Sequence, residues 1–164
     1  MFELTIPTGF TQVTDLSVLS LSGSRSANYF FTGDTIKISD KVYSQLRPST
    51  KKTEDDKPIM QPVYYALVNI THEGSDKGYD KLLPLAAFRR LPKDSETFLS
   101  TAGDLMRQLA GMSSDRERFE LLKGRTVKVV RLEEGEAFDY SASNFATREY
   151  KYRKSKFAVL EFAD

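Results

Sequence analysis

The sequence predicts an α+β domain that is predominantly β, a small barrel or sandwich of five to seven strands with one main helix at about residues 95–110. Three observations predict it. Val63-Tyr64-Tyr65-Ala66-Leu67-Val68-Asn69-Ile70 is long, aromatic and β-branched, and its nearly continuous apolarity predicts a strand buried on both faces. Phe98, Ala102, Leu105, Met106 and Leu109 fall on one face of a helix. After that helix, Thr126 to Leu132 and Tyr150 to Phe162 again have strand composition.

Taken in order, residues 1–28 are Ser/Thr-rich, with Leu16, Val18, Leu19 and Leu21 set among serines. They read as a short strand on the domain or as an N-terminal arm that packs on a partner, and Gly23-Ser24-Arg25-Ser26 reads as a loop. Tyr29 to Ser39 is the first strand region, with a turn at Gly33-Asp34 and Ile36 and Ile38 on one face. Asp40 is placed to cap a helical turn through Tyr43, Leu46 and Arg47. Arg47 to Pro62 has few apolar residues and reads as a long loop. His72 to Asp80, with Gly74, Ser75, Asp76, Lys77 and Gly78, has turn composition and joins the Val63–Ile70 strand to another through Leu82, Leu83, Leu85, Ala86 and Phe88, in which Pro84 marks an edge or bulge.

Asp94 or Ser95 caps the main helix and Gly111 ends it. Ser114-Asp115-Arg116-Glu117 is a capping box for a second, short helix that Gly124 stops. Glu133-Glu134-Gly135-Glu136 reads as a turn, and Ala137 to Asn144 fits neither template.

The 164 residues are the size of a single domain, 1–164. With 40% hydrophobic residues and 19 Phe or Tyr (11 and 8), the chain has enough apolar material for a core. The net charge of +1 argues against a bulk polyanion binder, so any nucleic-acid contact must come from a local patch. The absence of cysteine excludes disulfides, thiolate metal sites and a cysteine nucleophile. The N-terminal residues have no signal-peptide pattern and no apolar run is long enough to cross a bilayer, which predicts no membrane association and a cytoplasmic location in a host cell, or a virion if the chain is an assembly subunit.

Catalytic motifs are missing. The single histidine, His72, lies near Glu73, Asp76 and Asp80 at spacings that match no metal site, so a structural or solvated role is expected and no metal or cofactor. No Gly-x-Ser-x-Gly elbow or phosphate-binding glycine loop occurs, and Leu122-Lys123-Gly124-Arg125-Thr126 reads as a helix stop. Glu54-Asp55-Asp56 and Glu133-Glu134-Gly135-Glu136 read as solvated charge runs. The expectation is a non-enzymatic chain.

One segment carries a positive signal. Arg148, Lys151, Arg153, Lys154 and Lys156 interleave with Tyr150, Tyr152 and Phe157. Tyrosines stack on bases while cations hold phosphates. Arg47, Lys51 and Lys52 add cations in the predicted loop. The bland reading of the terminal segment is an edge strand whose lysines prevent aggregation.

The order from residue 29, strand-strand-strand-helix-strand-strand, is also that of an OB-type barrel, a likeness of topology that no sequence motif supports. The leading expectation is a single-stranded nucleic-acid-binding module. The alternative is a structural or assembly protein acting through protein partners, with homo-oligomerisation open in either case.

Overall fold

The structure is a computed structural model that describes residues 2–19, 29–139 and 142–164, the side chains of residues 50–52 excepted. The loop expected at Gly23-Ser24-Arg25-Ser26, Leu21 and the Tyr140-Ser141 part of the ambiguous stretch lie outside the described residues.

The fold is mostly β: the described residues form one antiparallel sheet of six strands and three α-helices. The strands are β1 (Thr11–Val13), β2 (Thr35–Lys52), β3 (Pro58–Thr71), β4 (Tyr79–Pro84), β5 (Thr126–Phe138) and β6 (Tyr152–Phe162). The helices, α1 (Ser95–Thr101), α2 (Asp104–Gly111) and α3 (Asp115–Leu122), all lie between β4 and β5. The sheet order is β4-β3-β2-β5-β6, with β1 also paired to β2. The sheet is open, so it forms no closed barrel.

Alternation along β2 and β3 builds the core. Ile36, Ile38 and Val42 face Tyr64, Ala66, Val68 and Ile70 in one buried cluster. Val63 and Leu67, on the other face of β3, are buried as well, and Phe10 packs edge-on against Tyr65 at 5.1 Å between ring centroids. Residues 2–19 lie on the sheet: β1 pairs with Val42–Ser44, Leu4 N donates to Asp80 Oδ2 at 2.8 Å, and Leu19 is buried.

Five expectations about individual elements are corrected. The helical turn through Tyr43 and the long loop from Arg47 to Pro62 are instead one β-hairpin arm. Leu46 stands opposite Pro62 and Pro48 opposite Met60, and the connection shrinks to a turn in which Thr53 N donates to Lys57 O at 2.8 Å. Ladder hydrogen bonds override a loop-like composition here. Leu85, Ala87 and Phe88 are buried in a 3-10 turn, because the chain leaves the sheet at Pro84.

The main helix is two helices. Ala102 is extended (φ −80°, ψ 155°) and Gly103 follows, so α1 stops and α2 begins. The stripe Phe98, Ala102, Leu105, Met106, Leu109 remains buried across the break. The Arg107 guanidinium takes up the freed carbonyls, donating to Ala102 O at 2.5 Å and Leu99 O at 3.4 Å. Glu133 to Glu136, expected as a turn, continue β5. Gly135 is there for close approach: a Cβ would lie 2.8 Å from Pro92 Cβ. Beside it, Lys93 N donates to Glu136 O at 2.8 Å, so this crossing segment satisfies part of the outer edge of β5.

The α3 cap forms as its sequence predicts: Ser114 Oγ accepts from Glu117 N at 3.2 Å. Gly124 ends that turn in the left-handed region at φ 72°.

Candidate nucleic-acid interface

The β5–β6 hairpin positions the basic-aromatic segment. Its ladder pairs Phe138 with Tyr152, Ala137 with Arg153, Glu136 with Lys154, Gly135 with Ser155 and Glu134 with Lys156. Side chains alternate, so Phe138, Tyr152, Lys154 and Lys156 share one face with Glu134 and Glu136. Arg153 and Ser155 point to the other face, where Phe157 enters the core.

Beyond the ladder, Asn144 and Glu149 close a four-residue loop by exchanging backbone hydrogen bonds at 2.9 and 3.0 Å. Asn144 Oδ1 accepts from Ala146 N and Thr147 N. Arg148, at φ 58°, takes the left-handed conformation that closes so tight a loop. The loop folds Phe145 and Tyr150 back onto Phe138. Ring centroids lie 5.8 Å apart for Phe138–Phe145 and Phe138–Tyr150, 5.7 Å for Phe138–Tyr152 and 5.9 Å for Phe145–Tyr150. These are the offset and edge-on spacings that aromatic pairs favour. The cluster holds the hairpin tip together, yet Phe145, Tyr150 and Tyr152 keep 56%, 49% and 41% of their surface exposed.

Lys93, from the segment crossing β5, lies 4.2 Å from the Tyr152 ring centroid and 4.0 Å from Glu136 Oε2. Arg90 lies 4.6 Å from the Phe157 ring centroid and donates to Ser155 Oγ and to Lys156 O. Burial, and next the nearby charge of Arg153, push the Arg90 guanidinium below its usual range.

Arg148, Tyr150, Lys151, Tyr152, Arg153, Lys154 and Lys156 are thus brought together on this hairpin, all exposed. Its charge is less one-sided than the segment alone suggests. Five cations from Arg148 to Lys156 stand against four carboxylates, Glu134, Glu136, Asp139 and Glu149. Lys154 and Lys156 each face a glutamate directly across the ladder.

Arg47 and the backbone of Lys51 and Lys52 belong to the β2–β3 arm. β5 runs antiparallel to β2 from the Thr35–Lys37 end, so the arm and the β5–β6 tip leave β2 in opposite directions. The arm presents Leu46 and Met60, more than half exposed, on one face.

Sequence reading missed Phe138, Phe145 and Lys93. The two phenylalanines stand in the stretch between clear elements, and only hairpin closure brings them onto Tyr150 and Tyr152. Among the described residues no group of three or more His, Asp or Glu is arranged to hold a metal ion, and no helix is long and apolar enough to cross a membrane. The chain matches no protein-family model, no curated protein and no solved structure.

Proposed function

We propose that this chain binds single-stranded nucleic acid through the tip of the β5–β6 hairpin. The observation that carries the proposal is the exposed cluster of Phe145, Tyr150 and Tyr152, seated on Phe138, with the exposed cations Arg148 and Lys151 adjacent in sequence and Arg153 on the opposite face of the strand. A folded tip whose rings stay about half exposed is a preordered stacking surface, and every base has a π-face to meet it. Because glutamates oppose two of the lysines, stacking carries more of the affinity than charge does.

The strand order supports the same reading. β4-β3-β2-β5-β6, with helices between β4 and β5, is the order of an OB-type sheet counted from β2. In that comparison the β2–β3 arm and the β5–β6 tip correspond to the two loops with which OB folds grip oligonucleotides. Arg47 then forms a secondary contact on the arm. The exposed Leu46 and Met60 favour a second reading, in which the arm meets a protein partner in an assembly.

The test is fluorescence anisotropy with a labelled single-stranded oligonucleotide near physiological salt. Binding tighter than about 100 μM, the weak end of non-specific affinity, that Phe145→Ala weakens at least severalfold supports the proposal. Weaker wild-type binding removes it and leaves the assembly reading.

A further inference from the structure

A second cluster lies apart from the hairpin tip, where the start of β2 meets the β3–β4 turn. Asp34 is 1% exposed, yet its carboxylate is partnered on both oxygens. Oδ2 accepts from Phe31 N at 3.0 Å, and Oδ1 lies 2.6 Å from His72 Nδ1. A carboxylate has no proton to give, so Nδ1 carries the proton and donates it to Asp34. In the neutral ring, Nε2 is left as an acceptor. It faces the hydroxyl of Tyr79 at 3.1 Å.

The chain Asp34–His72–Tyr79 has the form of an activated nucleophile: a hydroxyl within hydrogen-bond reach of an imidazole that a buried carboxylate orients. The Phe31 ring packs edge-on against His72 at 5.7 Å, and Tyr79 lies 5.4 Å from it. Two glycines fix the surrounding backbone. A Cβ at Gly78, next to Tyr79, would lie 2.3 Å from Asn69 Oδ1. Gly33, next to Asp34, has φ 88° and lies beneath the Glu73 side chain. The hydroxyl is still reachable, since Tyr79 is 45% exposed and the His72 side chain 43%.

We propose that Tyr79 is an activated nucleophilic hydroxyl for attack on sulfonyl electrophiles, with His72 as general base and Asp34 as its positioning residue. With a sulfonyl fluoride, Tyr79 Oη forms the new bond to sulfur, the sulfur–fluorine bond breaks, and fluoride leaves with that electron pair. The phenolic proton passes to His72 Nε2. This inference is independent of nucleic-acid binding, because no residue of the hairpin tip takes part.

The experiment treats the full chain with a small arylsulfonyl fluoride and follows each tyrosine by peptide mass spectrometry. Tyr150, 49% exposed, is the internal reference for an ordinary phenol. Tyr79 is expected to label at least about tenfold faster, a modest share of what a placed general base supplies. His72→Gln should bring Tyr79 down to the rate of Tyr150, and added imidazole should restore labelling in His72→Ala, which a merely structural role of the ring does not predict. Equal rates at Tyr79 and Tyr150 in the wild type, a comparison that needs no variant to fold, overturn the proposal. So does a His72→Gln protein that labels Tyr79 as fast as the wild type.

Discussion

Arg118 donates from Nε to the carbonyl of Leu109 at 2.9 Å, from inside the domain. The same guanidinium reaches Met112 O and lies 3.4 Å from Asp115 Oδ1, so one side chain ties the end of α2 to the start of α3. Asp115 is 0% exposed and has Arg89 Nε at 3.2 Å as a second cationic neighbour, which brings in the 3-10 turn after β4. Burial pushes Arg118 below the usual guanidinium range, and the charge of Asp115 opposes that shift. Removing one member strands a buried charge, so Asp115→Asn should cost about 3–5 kcal/mol in urea unfolding. Arg118→Met should cost less in the Asp115→Asn background than in the wild type. Additive losses would show that the two side chains are not coupled.

The break at Ala102–Gly103 gives a second prediction. Leu105→Ala opens space in the core and should cost about 2–5 kcal/mol. Arg107 looks dispensable from its place on the helix wheel, opposite the apolar stripe. Its hydrogen bonds to Ala102 O and Leu99 O, and its pairing with Asp104 at 2.7 Å, give it a structural role despite a half-exposed side chain. Arg107→Ala should therefore cost about 1 kcal/mol, since a partly exposed cap is worth less than a buried one. A loss indistinguishable from zero in the same denaturant series would deny that role.

What was legible in the sequence follows from the range of the signal. The nearly continuous apolarity of Val63–Ile70, the stripe from Phe98 to Leu109 and the cap at Ser114 are local patterns: the strand and the cap form where they are predicted, and the stripe is buried although the helix breaks at Ala102–Gly103. The arm from Arg47 to Pro62 was hidden because Pro48, Ser49, Lys51 and Glu54 have loop propensities, while the pairing of Leu46 with Pro62 and Pro48 with Met60 is a relation between two strands. Gly135 reads as a turn until Pro92 is seen against it. At the candidate interface the run Arg148 to Lys156 was readable as chemistry. Its seat on Phe138 and its partial neutralisation by Glu134 and Glu136 depend on register, which one strand's sequence does not contain. Asp34, His72 and Tyr79 each look ordinary alone, and only the fold puts them in line.

The contact between Asp164 and Arg125 predicts a pH effect. Arg125 Nε and a second guanidinium nitrogen donate to the two carboxylate oxygens at 2.8 and 3.0 Å, and Thr126 N adds a third bond at 3.1 Å. The Arg125 hydrogen bond, and next that of Thr126, hold the carboxyl well below the usual carboxylate range, at about 2. A depressed folded value means that the contact stabilises the fold above the ordinary carboxylate range and is lost as pH falls through about 2. Titration of the Asp164 side-chain carboxyl carbon by NMR should show a midpoint near 2, and Arg125→Ala should raise it toward the ordinary range, with the Thr126 bond still in place. High salt should raise the wild-type midpoint, since the pair is open to solvent. A wild-type midpoint in the ordinary range would mean that the fork does not form.

The nucleic-acid reading predicts that two kinds of residue fail differently. A cation that neutralises a phosphate releases counterions, so each such contact steepens the dependence of affinity on salt. Lys154 and Lys156 stand opposite Glu136 and Glu134 in the ladder, which tempers their charge, and the phosphate contacts proposed at the tip are Arg148 and Lys151, with Arg153 beside them in sequence. For single strands, two or three such contacts give a slope of log affinity against log salt of roughly −2, shallow for a nucleic-acid binder. Replacing Lys151 and Arg153 together should weaken binding and flatten that slope by about one unit or more. Tyr152→Ala should instead cost roughly 1–3 kcal/mol of binding by lost stacking and leave the slope nearly unchanged. Because Tyr152 also packs on Phe138 and under Lys93, Tyr152→Phe is the control: it keeps the ring, and binding should stay close to wild type. Anisotropy titrations at several salt concentrations separate these outcomes. A steep wild-type slope that Tyr152→Ala also flattens would mean that the tip acts as a charged patch and not as a stacking surface.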